Sequence, residues 1–138
     1  TPRIEGELKV SGQAKYAVDV TLPGMLWGKL LRSPIASGTI RRIDTSKAER
    51  LKGVRTIITG ADCSGLKIGR RVYDMPILAD GEVRFIGEKV AAVAADSEEV
   101  AEAAGNLIEV EYEETEPLLD PVEALKAGAK RIHPDVMS

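Results

Sequence analysis

Between residues 90 and 113 the hydrophobic period changes twice, and that switch limits the folds open to the chain. Val90-Ala91-Ala92-Val93-Ala94-Ala95 suits a strand. Val100, Ala103, Ala104, Leu107 and Ile108 then recur at helical spacing, which predicts a helix over Glu98–Leu107 with Asp96 and Glu99 as a capping pair. The small side chains on that face imply close packing on a sheet. Gly105 costs up to roughly 1 kcal/mol of helix propensity, which packing must offset. Ile108-Glu109-Val110-Glu111-Tyr112-Glu113 alternates apolar with polar and predicts a strand with one wet, acidic face.

Shorter elements surround this core. Residues 13 to 20 alternate weakly and suit a strand, Leu22-Pro23-Gly24 is turn chemistry, and Met25 to Arg32 predicts a second strand ended by Ser33-Pro34. Thr39 to Asp44 is a third strand. Ser46 with Glu49 forms a capping-box pattern for a helix over Lys47–Lys52, closed by Gly53 in a left-handed position. Val54-Arg55-Thr56-Ile57-Ile58-Thr59 reads as a mostly buried strand. Glycines and Pro76 break residues 60 to 82 into an irregular loop with a brief strand near Ile68. Long loops inside compact domains are more often functional than neutral. Val83-Arg84-Phe85-Ile86 reads as a strand joined to the Val90 run by a turn or bulge. Asp120-Pro121-Val122-Glu123 starts a last helix that Gly128 closes. Strands with two or three helices, outside strict βαβ alternation, make the fold class α+β.

Totals exclude several functions. The 138 residues suit a single domain over 1–138, with 43% hydrophobic and 30% charged residues in ordinary globular balance. A formal charge of -3 disfavours nucleic acid, and Lys67, Arg70 and Arg71 are too short a basic cluster for a nucleic-acid footprint. Aromatics, at 4%, are too few for base-stacking platforms. One cysteine, Cys63, and one histidine, His133, cannot build a Cys/His metal cage or an internal disulfide. Cytoplasmic folding is therefore the default, and no apolar run approaches the roughly 20 residues that span a bilayer. Thr1 and the unfinished Ile132-His133-Pro134-Asp135 make both ends read as cuts.

No reactive group outweighs its structural reading. His133 beside Asp135 has base character, but no nucleophile stands near it in sequence. Cys63 lacks a basic neighbour to make it a thiolate. Gly60-Ala61-Asp62-Cys63-Ser64-Gly65 and Gly65-Leu66-Lys67-Ile68-Gly69 lack the Lys-Ser/Thr ending of a phosphate loop and read as turns. Glu109, Glu111, Glu113 and Glu114 are spaced too widely for one cation and read as a solvated face blunting a sheet edge. Ser33 lacks the Gly-x-Ser-x-Gly surroundings of a nucleophile and caps or turns. Trp27 and Tyr16 read as core or interface residues. The catalytic and metal sets are therefore empty.

Three blocks resemble the molybdenum hydroxylases, the family of xanthine dehydrogenase, aldehyde oxidase and the large subunit of aerobic carbon monoxide dehydrogenase. They are Gly12 to Pro34 leading into Ile43-Asp44-Thr45-Ser46; Val83-Arg84-Phe85-Ile86-Gly87-Glu88 into Val90-Ala91-Ala92-Val93-Ala94; and Ile108 to Glu113 through Leu118, Asp120-Pro121 and Ala124-Leu125. The resemblance implies an α/β-hammerhead fold of mixed strands with two or three short helices packed on the sheet. It implies the N-terminal domain of a molybdopterin-binding subunit, in an oxidoreductase that hydroxylates an electrophilic carbon with oxygen from water. It also implies that this segment binds no cofactor: molybdopterin belongs to the full-length subunit, and iron-sulfur clusters and FAD to partner domains or subunits. The family's hammerhead lends a loop to the substrate funnel, which by position is Gly69 to Pro76, with Arg71, Val72 and Tyr73 nearest the entrance. Many members carry histidines where Ile35, Ala36 and Ser37 stand, and a proline at Lys89, so the substrate stays open among purines, aldehydes, N-heterocycles, aromatic thioesters and carbon monoxide.

Two other readings make different demands. A free-standing binding or scaffold module requires a fully polar surface, whereas a hammerhead domain leaves an apolar patch where the rest of its subunit docks. A small acid-base enzyme built on His133 or Asp74 requires a cleft with a perturbed titrating pair.

Overall fold

The computed structural model describes residues 3–132. Helix α1 (Gly6–Val10) and a 3-10 turn (Ala17–Asp19) lead to β1 (Trp27–Arg32), β2 (Gly38–Asp44), α2 (Ser46–Glu49) and β3 (Val54–Thr59). A second 3-10 turn (Gly60–Cys63) follows, then β4 (Lys67–Ile68), β5 (Met75–Pro76), β6 (Glu82–Val83), β7 (Lys89–Ala95), α3 (Glu98–Leu107), β8 (Glu109–Glu114) and α4 (Pro121–Ala124). The strands form sheets in the orders β1-β7-β3 and β6-β2-β8, with a separate β4-β5 hairpin, and every ladder is antiparallel. The longer strands β1, β2, β3, β7 and β8 fall alternately in two sheets, except that β3 and β7 share one. This is the α+β class expected of the mixed periodicities.

The small-residue run becomes the central strand, β7, with Trp27 opposite Ala95 on one side and Thr59 opposite Ala91 on the other. Its side chains at Ala91 and Val93 join Ala48, Ala104 and Ile108 in one buried cluster. Ile43 and Val110 of the second sheet pack against that cluster, so a single core couples both sheets.

Several expectations need correction. Residues 13 to 20 form no strand; they are exposed throughout except Ala14, and their backbone bonds are local, as in Gln13 N–H to Leu8 O and Asp19 N–H to Tyr16 O. Weak alternation cannot make a strand without a partner edge. The first cap is Thr45 rather than Ser46: the Thr45 hydroxyl donates to Glu49 and the Ser46 amide donates to Asp44, so the helix is only Ser46–Glu49. β3 is an edge strand with half-buried and exposed positions, not a mostly buried one. The 83–86 segment pairs only through Glu82–Val83 and then turns.

α3 forms where predicted, but its phase and cap differ. Ser97 is the N-cap, its Oγ accepting from the Val100 amide at 3.3 Å, while Asp96 pairs with Arg55 at 2.6 Å. The buried face is Ala101, Ala104, Gly105 and Ile108; Ala103 and Leu107 are exposed. Gly105 therefore faces β1, yet a Cβ there would meet only Lys29 Cγ, at 3.9 Å. Gly105→Ala should stabilise the chain by up to about 1 kcal/mol through helix propensity alone. A higher melting temperature is the expected result; a lower one would place the helix closer to β1 than described. The last helix starts as predicted, Asp120 Oδ1 accepting from the amides of Val122 at 2.7 Å and Glu123 at 3.2 Å.

Candidate functional site: a hairpin tip and the turn beneath it

Within the irregular region, Ile68 pairs with Met75 and Lys67 with Pro76, so residues 69 to 74 become the tip of a two-stranded hairpin. The tip closes tightly at Gly69, where a Cβ would lie 1.7 Å from the Val72 carbonyl oxygen, so no larger residue fits. Tyr73 is 71% exposed and Val72 46%, and Arg70 and Arg71 are exposed beside them. All three positions expected at a funnel entrance, Arg71, Val72 and Tyr73, thus stand together at one projecting end. Leu78 and Ala79, both buried, tie the following segment to the body, and the Ala79 amide donates to Lys89 O at 2.7 Å.

Asp74 and Met75 at the hairpin base meet Arg84, Phe85 and Ile132 around a cavity of about 230 Å³. Asp74 has an interaction partner of its own. Phe85 is held there by the turn that follows it. Glu88 is a buried carboxylate that accepts from the Arg84 amide at 2.6 Å and from Arg84 Nε at 2.9 Å, with a further short contact from the same guanidinium. Backbone bonds lock the turn to the end of β1: Ser33 N–H to Glu88 O and Gly87 N–H to Ser33 O, each 2.8 Å. The Arg32 guanidinium adds a bond to Gly87 O at 2.9 Å. Gly87, at φ 82°, supplies the left-handed step. The turn or bulge expected between Ile86 and Val90 is present; what the sequence reading missed is the buried Arg84–Glu88 pair across it.

Ser33 turns the chain as expected; it is buried, its Oγ accepting from the Ile35 amide at 3.1 Å. Burial pushes the Tyr112 phenol above its ordinary value, partly offset by a hydrogen bond with Ser33. Trp27 and Tyr16 are 41% and 54% exposed, which removes the core reading and leaves the interface one. Cys63 is half-buried.

Three aspartates beside β2 and β3 are committed to structure. Hydrogen bonds from the Thr59 amide and hydroxyl hold Asp62 below the usual carboxylate range. Bonds from Ser46, with Arg42 and Lys47 nearby, do the same for Asp44. Asp80 accepts from Ser64 Oγ at 2.6 Å. Asp62 and Asp80 line a polar groove of about 460 Å³ beside β2 and β3, which therefore offers no uncommitted aspartate. The acidic face of β8 is solvated and lies on an edge strand, as expected, but it is also an ion-pair ladder: Glu113 with Arg41, Glu111 with Arg42 at 3.6 Å and Glu109 with Lys47. Among the described residues no group of three or more His, Cys, Asp or Glu is placed to hold a metal ion, and no helix is long and apolar enough to cross a membrane. His133 lies outside the described residues.

Comparison with known proteins fits this geometry. Residues 11–116 match the family described as aldehyde oxidase and xanthine dehydrogenase, a/b hammerhead domain. The chain is 45% identical over 134 residues to a probable xanthine dehydrogenase subunit of Bacillus subtilis (strain 168), covering 96% of this chain and 18% of that protein. It is 38% identical over 142 residues to a carbon monoxide dehydrogenase large chain of Afipia carboxidovorans, covering 97% of this chain and 17% of that one. Among solved structures, a Cu,Mo-CO dehydrogenase in its carbon monoxide reduced state superposes on all of this chain with a TM-score of 0.90 at 37% identity, over 18% of its own length. The chain thus spans less than a fifth of the length of these relatives.

Proposed function

Because the chain belongs to the aldehyde oxidase and xanthine dehydrogenase family, as its a/b hammerhead domain, we propose that residues 1–138 are one non-catalytic domain of a larger molybdopterin-binding subunit. The whole protein would be a molybdenum hydroxylase acting in the cytoplasm, an oxidoreductase that places oxygen from water on an electrophilic carbon. Molybdopterin would be held by other parts of the subunit. Iron-sulfur clusters and FAD would sit in partner domains or subunits, and neither nucleic acid nor a membrane is a partner.

One observation carries the structural part of this reading. Large apolar side chains stand in solvent along both terminal segments: Ile4, Val10 and Val18 at 86% or more, and Leu119 and Leu125 at 81% and 87%. Their backbones make only local bonds, as in Leu125 N–H to Val122 O. A free-standing module would not retain such a surface, whereas a domain packed against the rest of a subunit covers it.

The hairpin tip supplies the domain's contribution to substrate: Arg71, Val72 and Tyr73 line the entrance of the funnel. Tyr73→Ala in the full-length enzyme should raise KM by about three- to tenfold with kcat little changed, the signature of lost uniform binding. Unchanged KM and substrate preference in both Tyr73→Ala and Arg71→Ala would refute the funnel assignment.

A further inference from the structure

We propose that Arg84 and Glu88 are positioning residues for the hairpin tip: their buried pair braces the cavity wall that faces the hairpin base and so sets where Arg71, Val72 and Tyr73 stand. This deepens the funnel reading above and rests on it.

The hairpin has little of its own to orient it. β4 and β5 contain two residues each and join neither main sheet, and an isolated two-stranded hairpin is marginal in water. From Ser64 to Met75 every residue is exposed except Asp74, which is half-buried. Asp74 and Met75 share the cavity of about 230 Å³ with Arg84 and Phe85. The hairpin base therefore faces the body at that point. Beyond the base, Gly69 draws the turn tight against the Val72 carbonyl, so the tip follows its base as one piece.

The facing wall is fixed. Arg84 Nε and a second guanidinium nitrogen donate to Glu88, which is 3% exposed and also takes the Arg84 amide. Ser33 N–H to Glu88 O and Gly87 N–H to Ser33 O carry that anchorage to the end of β1, which pairs with the central strand β7. Apolar residues of similar volume stabilise such a site as well as an ion pair does. What they lack is a planar side chain held in one orientation by directional bonds. Acting through the tip, the pair alters binding rather than the chemical step.

The test uses the full-length enzyme with two variants, Glu88→Gln and the apolar pair Arg84→Met/Glu88→Leu. The readouts are steady-state kinetics and amide hydrogen exchange of peptides from the hairpin and from β7. Each variant should speed exchange across residues 67–76 about tenfold, at exposures too short for β7 to exchange, as expected when charged hydrogen bonds that hold a local element are lost. Each should raise KM about three- to fivefold with kcat unchanged. Combined with Tyr73→Ala, neither should raise KM beyond the Tyr73→Ala value, because pair and ring act through one element. The apolar pair is the decisive variant: it keeps the turn stable, so wild-type exchange and KM in it mean a merely structural role and overturn the proposal. Hairpin exchange that rises only in step with β7 overturns it too, as do KM effects that multiply with that of Tyr73→Ala. The funnel reading fails separately. If Tyr73→Ala raises KM while neither pair variant does, the funnel stands and the positioning role falls. If the hairpin loosens while KM is unchanged in every variant, the pair orients the hairpin and the funnel falls.

Discussion

Replacing Glu88 with alanine is expected to remove about 3–5 kcal/mol of stability, the cost of stranding one member of a buried ion pair. Glu88 is 3% exposed and the Arg84 side chain 14%, so water screens little of the loss. The carboxylate takes the Arg84 backbone amide as well as its guanidinium, so truncation orphans a main-chain donor and a charge together. The backbone bonds between Ser33 and the 87–88 segment remain possible, so the turn should loosen rather than vanish. Urea unfolding of the chain should show the midpoint falling by more than about 1 M. Arg84→Met combined with Glu88→Leu should recover most of the loss, because replacing both partners by apolar groups removes the unpaired charge. A Glu88→Ala loss below about 1 kcal/mol would mean that the pair is solvated and that the turn is held by its backbone alone.

What the sequence revealed depended on contrast. β2 and β3 were legible because runs rich in β-branched residues are bounded by glycine or caps, β7 because its short apolar run precedes a cap, and α3 because its length and period exclude a strand. The phase of α3 was not legible in detail, since Ala101, Ala103 and Ala104 are chemically equivalent; tertiary packing buried Ala101 and Ala104 and left Ala103 exposed. Ser97 lost to Asp96 as the expected cap because both are good caps one residue apart, and the choice fell to Arg55, which claims Asp96 from a neighbouring strand. Of the hairpin, only its first strand near Ile68 was legible, inside a stretch otherwise read as irregular, and its candidate role came from family resemblance rather than from residue chemistry. Glu88 was hidden for a different reason: burial of a charge depends on a partner across a turn, and a two-residue strand gives almost no periodic signal to mark where the turn begins.

Excising α3 should abolish cooperative folding altogether. Ala104 of this helix closes over Ala91 and Val93 of β7, while Ala48 and Ile108 complete the same cluster. Without the helix, Ala104 leaves the cluster, the face of β7 that carries Ala91, Val93 and Ala95 opens to water, and Leu31, Ile43, Ile57 and Val110 pack against a core left open on one side. Leu31 and Ile57 belong to one sheet and Ile43 and Val110 to the other, so the deletion also uncouples the sheets. A domain of this size holds only about 5–15 kcal/mol in total, and losing a shared core of this kind exceeds that margin. Replacement of residues 98–107 by a short Gly-Ser linker should therefore give a chain that binds a hydrophobic dye and shows no sigmoidal urea transition. A sharp transition in the truncated chain would mean that the sheets hold each other without the helix. The single core would then be the wrong account of what keeps the hairpin and its tip in place.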